Sequence, residues 1–279
     1  MDSTTRTHNP PPAASRVESL IALAKKADAP PVLWYFSHLY GRSEIVRMTL
    51  HFAGIDFVFA GFSNSEWTAI KSSIQPDSHR EPSWGLPMLQ IDGSFLSQTK
   101  SIVRYVGQKG NLYPSNSMDI WRVESILEGA DDLFAQFIKY HYNKYNTTAG
   151  VTSPFTPEDR EKYGVVLRAA VQTTYRAFSK MLQGNAAGLY IVGGKLTIAD
   201  ILICQYRWLC AQPEFSSVCE GVFNTAADRD MILFEQYYAN IGEKHFFKYF
   251  SSRYGSEDDV DSMAKNAAHA EGIQYPFVW

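Results

Sequence analysis

The chain has 279 residues, of which 45% are hydrophobic and 20% charged, with a net charge of −3. This length suits one large domain or two modest ones, and the charge balance gives no basic footprint for nucleic acid. No apolar run approaches the roughly 20 residues of a membrane span, and the N-terminus lacks the apolar core of a secretory signal.

Residues 1–30 read as an N-terminal extension. The run N-P-P-P-A-A at 9–14 is incompatible with a helix, because proline also drives its predecessor to extended geometry. Ser15–Lys26 has the pattern of a short amphipathic helix, so this stretch is either a tail or a docked helix. Val32–Phe36 (V-L-W-Y-F) is a short buried strand. Alternation sets Trp34 and Tyr35 on opposite faces, so one of them is expected to leave the core.

Ser43 then caps a helix to about Ala53, with Ile45, Val46, Leu50 and Ala53 on its apolar face and Gly54 as its stop. Phe57-Val58-Phe59 is a second strand, parallel to the first if the helix is a crossover. Met88–Ile91 and Phe95–Ser97 flank Asp92-Gly93, a strong hairpin signal. Thr99 caps a further helix to about Gln108.

After Leu112-Tyr113-Pro114 the strand signal stops. Met118–Tyr145 carries Ile120, Val123, Leu127, Ala130, Phe134, Phe137 and Ile138 at helical spacing. A helix follows from Thr156-Pro157 to Gln183, with proline at its first turn, and ends at Gly184. Thr197-Ile198-Ala199-Asp200 opens an apolar helix over 198–211, and Phe234–Arg253 reads as one more. The expected organisation is an α/β domain (βαβ-ββα) over 31–110, an all-α helical bundle over 115–254 and a C-terminal extension over 255–279.

The βαβ-ββα order with a proline ahead of the third strand is the thioredoxin-like pattern. Redox members of that fold carry C-x-x-C. Here the three cysteines are Cys204, Cys210 and Cys219, all in the helical half and without metal spacing. Thiol–disulfide exchange by the α/β domain itself is therefore excluded, since no thiolate exists there.

Several motifs in order resemble the glutathione transferases: Y-F-x-x-x-x-G-R-S-E-x-x-R at 35–47, Leu86-Pro87 followed by M-L-Q-I-D-G, Gln98-Thr99, and V-G-G-K-L-T-I-A-D-I at 192–201. The resemblance is greatest to tyrosine-type classes, especially sigma. It implies a cytoplasmic homodimer that uses glutathione as cosubstrate, needs no metal and attacks an apolar electrophile. Two alternatives stay open: a glutathione-dependent isomerase or pathway-specific biosynthetic transferase, and a non-enzymatic ligand-binding relative.

The resemblance also assigns residues. Tyr35 matches the catalytic tyrosine and Arg42 the arginine that supports the thiolate. Trp67 and Lys71, four apart on one helical face, match the donors to the glycyl carboxylate. Leu86 would offer its backbone beside a cis Pro87, like a strand receiving a peptide. Gln98 and Thr99 would take the γ-glutamyl end, where free helix N–H groups favour an anion. Asp132 matches an acid that reaches the ammonium group of glutathione in the partner subunit's site. Phe36, Tyr40, Gln136, Tyr140 and Tyr142 are the expected wall of the electrophile pocket. The chain departs from the family at Gly85, where a glutamine is usual, and in the insertions at 72–83 and 143–156.

Overall fold

The computed structural model describes residues 13–26, 30–37, 41–71, 85–145, 157–185, 188–223 and 228–254. The chain forms two compact units, one gathering the described residues through Glu44 and Asp56–Ile102, the other Ile45–Ile55 and those from Val103 on.

The first unit is built on a four-stranded sheet: β1 (Val32–Phe36), β2 (Val58–Phe62), β3 (Met88–Ile91) and β4 (Ser94–Ser97), in the order β2-β1-β3-β4. β2 runs parallel to β1, while β3 and β4 are antiparallel additions. Asp92 and Gly93 turn the β3–β4 hairpin with φ of 51° and 75°, the positive-φ pair that a type I′ turn requires. β2 starts at Val58 rather than Phe57 and runs on to Phe62. Ala60 and Gly61 are weak strand formers, yet pairing with Trp34 and Tyr35 carries the ladder through them.

Residues 13–24 form a docked helix, α1 (Ala13–Ala24). Its Val17, Leu20, Ile21 and Ala24 recur at helical spacing and pack on Val32, Trp34, Ala60, Phe62 and Met88 of the sheet. The amide Nε2 of Gln90 donates to the carbonyl of Ala24 at 3.1 Å, anchoring the end of α1 to β3. The expectation that Trp34 or Tyr35 would leave the core fails for this reason: Trp34 is 0% and Tyr35 8% exposed. Alternation does place them on opposite faces, but α1 gives Trp34 a core of its own.

A short helix, α3 (Asn64–Ile70), follows β2, carrying Trp67 and capped by Lys71. Ser63-Asn64-Ser65-Glu66 is its signature. Ser63 Oγ accepts from the Glu66 N–H and Glu66 Oε2 accepts from the Ser63 N–H, a complete capping box. The 3₁₀ turn Gly41–Ser43 leads from β1 into α2 (Glu44–Phe52). α4 (Thr99–Lys109) begins at Thr99 itself; the cap position belongs to Gln98, whose carbonyl accepts the first helical bond from Ile102.

The second unit is helical: α5 (Ser117–Tyr145), α6 (Pro157–Gly184), α7 (Ile198–Cys210), α8 (Pro213–Cys219), α9 (Arg229–Ile241) and α10 (Phe247–Tyr254). α5 packs on α6 and α7, and α6 on α9. The single helix expected over 234–253 is corrected on two counts. It starts at Arg229, where Asp228 accepts from the N–H groups of Asp230 and Met231, and a π-helical turn, Gly242–Phe246, divides it. The Phe247 ring lies over Gly242, where a Cβ would stand 2.4 Å from it.

Asp200 holds the start of α7. It is 0% exposed and accepts from the N–H groups of Ile191 and Thr197, the Thr197 hydroxyl and the Tyr237 hydroxyl, all at 2.8–2.9 Å. Burial pushes its carboxyl pKa up, while these four donors pull it down.

Candidate functional site

Tyr35 stands near the end of β1, opposite Gly61 of β2. Its phenol oxygen accepts from the backbone N–H of Arg42 at 3.3 Å. The 3₁₀ turn is what brings that amide back onto the ring. Gly41 opens the turn at φ +36°, and a Cβ on it would sit 2.8 Å from the Tyr35 oxygen. Gly41 is therefore part of the site, although sequence reasoning passed over it. The glycine directly before Arg42 was the available signal. The Arg42 side chain is exposed, and the contact to Tyr35 is made by its backbone.

A phenol that accepts a hydrogen bond keeps its own proton to donate. The incoming N–H polarises the O–H and makes it the better donor. The arrangement can thus present one hydrogen-bond donor to an anionic atom next to β1.

Phe36 is half-buried and meets the rings of Tyr35 at 5.7 Å and Phe62 at 5.5 Å, both edge-on. On α3, Trp67 stacks on Phe62 with centroids 5.0 Å apart and 13° between planes, and it joins the apolar cluster under α1. Lys71, exposed at the end of α3, donates its N–H to the Trp67 carbonyl.

The Leu86–Pro87 peptide bond is cis. The β1–β3 ladder stops at Met88, so Leu86 lies just beyond the last paired residue. Gln98 has φ +69°, the left-handed region that a side chain other than glycine rarely adopts. Such a residue costs of order 1–3 kcal/mol and is held by its surroundings. It turns β4 directly into α4, so the start of that helix stands beside Gln98 and Thr99.

In the second unit, Asp132 is exposed and Gln136 half-buried on α5. Tyr140 is 3% exposed. Its ring packs against Phe215, and a Cβ on Gly164 would touch it at 3.5 Å. It lines an open cleft of about 390 Å³ with Glu161, Val165, Arg168, Ser217 and Val218. Tyr40, the side chain of Tyr142, the segment 72–83, most of 143–156 and the extension 255–279 lie outside the described residues. Among the described residues, no group of three or more His, Cys, Asp or Glu could hold a metal ion, and no helix is long and apolar enough to cross a membrane.

A sheet of this order with a cis proline ahead of β3, followed by a helical bundle, is the architecture of the glutathione S-transferases. Comparison with known proteins finds similar chains among proteins of that name. The chain is 29% identical over 168 residues to human glutathione S-transferase A4, which covers 59% of this chain and 67% of that protein. It is 29% identical over 175 residues to the probable glutathione S-transferase 6 of Caenorhabditis elegans, covering 62% and 77%. Among solved structures, the glutathione S-transferase of Ascaris lumbricoides superposes with a TM-score of 0.61 at 23% identity, over 80% of this chain and 97% of that one. Monomeric Na-GST-3 of the hookworm Necator americanus gives 0.63 at 21% identity, over 81% and 98%. No family model matches the chain.

Proposed function

We propose that this protein is a glutathione S-transferase of the tyrosine type, most like the sigma class, which ionises the glutathione thiol through Tyr35 and presents the thiolate to an apolar electrophile. The observation that carries the reading is the Arg42 N–H bond to the Tyr35 oxygen, which polarises the phenol O–H as a donor to sulfur. A free thiol with a pKa near 8.5 is only a few per cent ionised at neutral pH. A donor that lowers it by about two units stabilises the thiolate by roughly 2.7 kcal/mol. Thiolate and electrophile held together then react with the further advantage of proximity.

The glutathione-binding domain is assigned to 31–110 and the helical domain to 115–254. Leu86, beyond the end of the ladder, supports an edge where the cysteinyl backbone pairs as an added strand. Gln98 and Thr99, at the start of α4, take the γ-glutamyl end, and Trp67 and Lys71 on α3 take the glycyl carboxylate. Arg42 supports the thiolate, and Phe36 lines the electrophile site. Asp132, exposed on α5, serves glutathione bound by the partner subunit of a homodimer. Three free, buried cysteines suit a reducing cytoplasm.

The test is a glutathione titration by calorimetry followed by conjugation of a general aryl halide. Binding and turnover support the reading. Binding without conjugation of any electrophile leaves a ligand holder instead, and no binding overturns the transferase. Analytical ultracentrifugation reads the dimer.

A further inference from the structure

One helix of the first unit lies outside everything assigned so far, yet it touches the element proposed to hold the glycyl carboxylate. Arg16 of α1 reaches across to the β2–α3 junction with both ends of its guanidinium. Nη2 donates to the carbonyl of Gly61 at 2.8 Å, and Nε pairs with Glu66 Oε1 at 3.1 Å. The other carboxylate oxygen of Glu66 accepts the Ser63 N–H at 2.7 Å and closes the capping box of α3. One arginine thus ties the end of a strand to the first turn of a helix only seven residues long. An isolated helix that short has no stability of its own.

The apolar side of α1 completes the hold. Val17, Leu20, Ile21 and Leu23 pack in the cluster that contains Ile70, with Trp67 against it. Both ends of α3 are therefore fixed by α1: the first turn through Arg16 and Glu66, the last turn through Ile70 and the stacked indole.

We propose that α1 is a built-in brace for the glutathione-binding helix, with Arg16 as the positioning residue that sets the affinity for the glycyl carboxylate by holding Trp67 and Lys71 in place. This rests on the transferase reading above. Arg16 touches no reacting atom, so its action falls on glutathione affinity and not on thiol chemistry at Tyr35.

The test uses the full chain and two substitutions that break the same pair from opposite sides. Arg16→Ala removes the cation. Glu66→Gln keeps an oxygen for the Ser63 N–H, and so keeps the cap, but loses the charge facing Arg16. Arg16 is 34% and Glu66 15% exposed, so the pair is partly screened. Each variant should weaken glutathione binding about five-fold and raise KM for glutathione to match. kcat and KM for the aryl halide stay unchanged, and Arg16→Lys recovers part of the loss.

Hydrogen exchange without ligand gives the second readout. The Trp67 N–H bonds the Ser63 carbonyl and the Lys71 N–H bonds the Trp67 carbonyl, each at 2.9 Å. Both amides should exchange faster in either variant while β1 amides do not. Unchanged glutathione affinity in both variants overturns the proposal, as does a loss of kcat equal to the loss of affinity. Wild-type protein that binds no glutathione overturns the transferase reading and the affinity claim together. The exchange rates, measured without ligand, separate that failure from a failed brace.

Discussion

The backbone N–H of Arg42 donates to the phenol oxygen of Tyr35 at 3.3 Å, across a turn opened by Gly41. The tyrosine is 8% exposed, so its ring is held by packing and its oxygen by the amide. Replacing Tyr35 with phenylalanine keeps the ring and removes only the donor to sulfur. Conjugation of an aryl halide near pH 7 should fall roughly 25-fold, the change in thiolate population when the thiol pKa rises by about two units to its free value. Glutathione affinity and the unfolding midpoint should change little. An Arg42→Ala variant keeps the amide, so a further loss there would measure what the side chain adds.

Gly41 makes a sharper prediction, because two penalties coincide on it. Its φ of +36° strains any other residue, and a Cβ would press the Tyr35 oxygen at 2.8 Å. Gly41→Ala should therefore cost about 1–2 kcal/mol of stability and also displace the hydroxyl, lowering turnover by roughly ten-fold. Gly54→Ala is the control. Its φ is +67° with no atom within 4 Å of the added Cβ, so it should cost similar stability and leave turnover intact.

Trp34 tests the second core. Its side chain is fully buried beneath α1, and its indole N–H has no hydrogen-bond partner among the described residues. Trp34→Ala should destabilise by about 3–5 kcal/mol. Trp34→Phe loses volume but also removes a buried donor whose desolvation costs about 1–3 kcal/mol. The two effects oppose, so the phenylalanine variant should lie within about 1 kcal/mol of wild type in a urea titration.

These residues also mark how far the sequence could be read. The strands β1 and β3, the Asp92-Gly93 turn and the long helices were legible, because each rests on a local period or a local stop. The cis bond before Pro87 followed from the fold pattern. What failed depends on distant partners. Strand alternation alone sends one of Trp34 and Tyr35 out of the core, and only the docking of α1 defeats it. The helix over 64–70 was written in Ser63 and Glu66, yet it is too short to show an apolar period. At the site, the tyrosine was legible by type and position. That the amide of Arg42 bonds it, and that Gly41 makes room, are facts of backbone geometry that no residue type announces.

Asp200 carries a prediction about the bundle. Four donors converge on this buried carboxylate from the loop before α7, its cap and α9. Asp200→Ala strands the N–H groups of Ile191 and Thr197 and the Tyr237 hydroxyl in a dry interior. The loss should be about 3–5 kcal/mol. Asp200→Asn keeps one acceptor oxygen but turns an amide NH₂ toward donors, so it should recover only part of that. Thermal denaturation of the two variants orders them.

The last prediction concerns pH. His245 sits in the π-helical turn with Nε2 3.2 Å from the Tyr190 hydroxyl, which also accepts from Lys244. Burial first, and the Lys244 charge second, hold its pKa below the ordinary value of 6.5; burial does the same to His51. For a histidine depressed in the folded state, both states are neutral above pH 7 and stability there is level. As pH falls through 6.5 the unfolded chain protonates first, and stability drops until the folded histidine follows. The slope is at most about 1.4 kcal/mol per pH unit for each histidine. Asp200 acts in the opposite sense, since its carboxyl is pushed up and protonation favours the folded state. A comparison of variants cancels that contribution. The change in urea midpoint from pH 8 to 5.5 should be most unfavourable for wild type, less so for His245→Gln, and least for His245→Gln combined with His51→Gln.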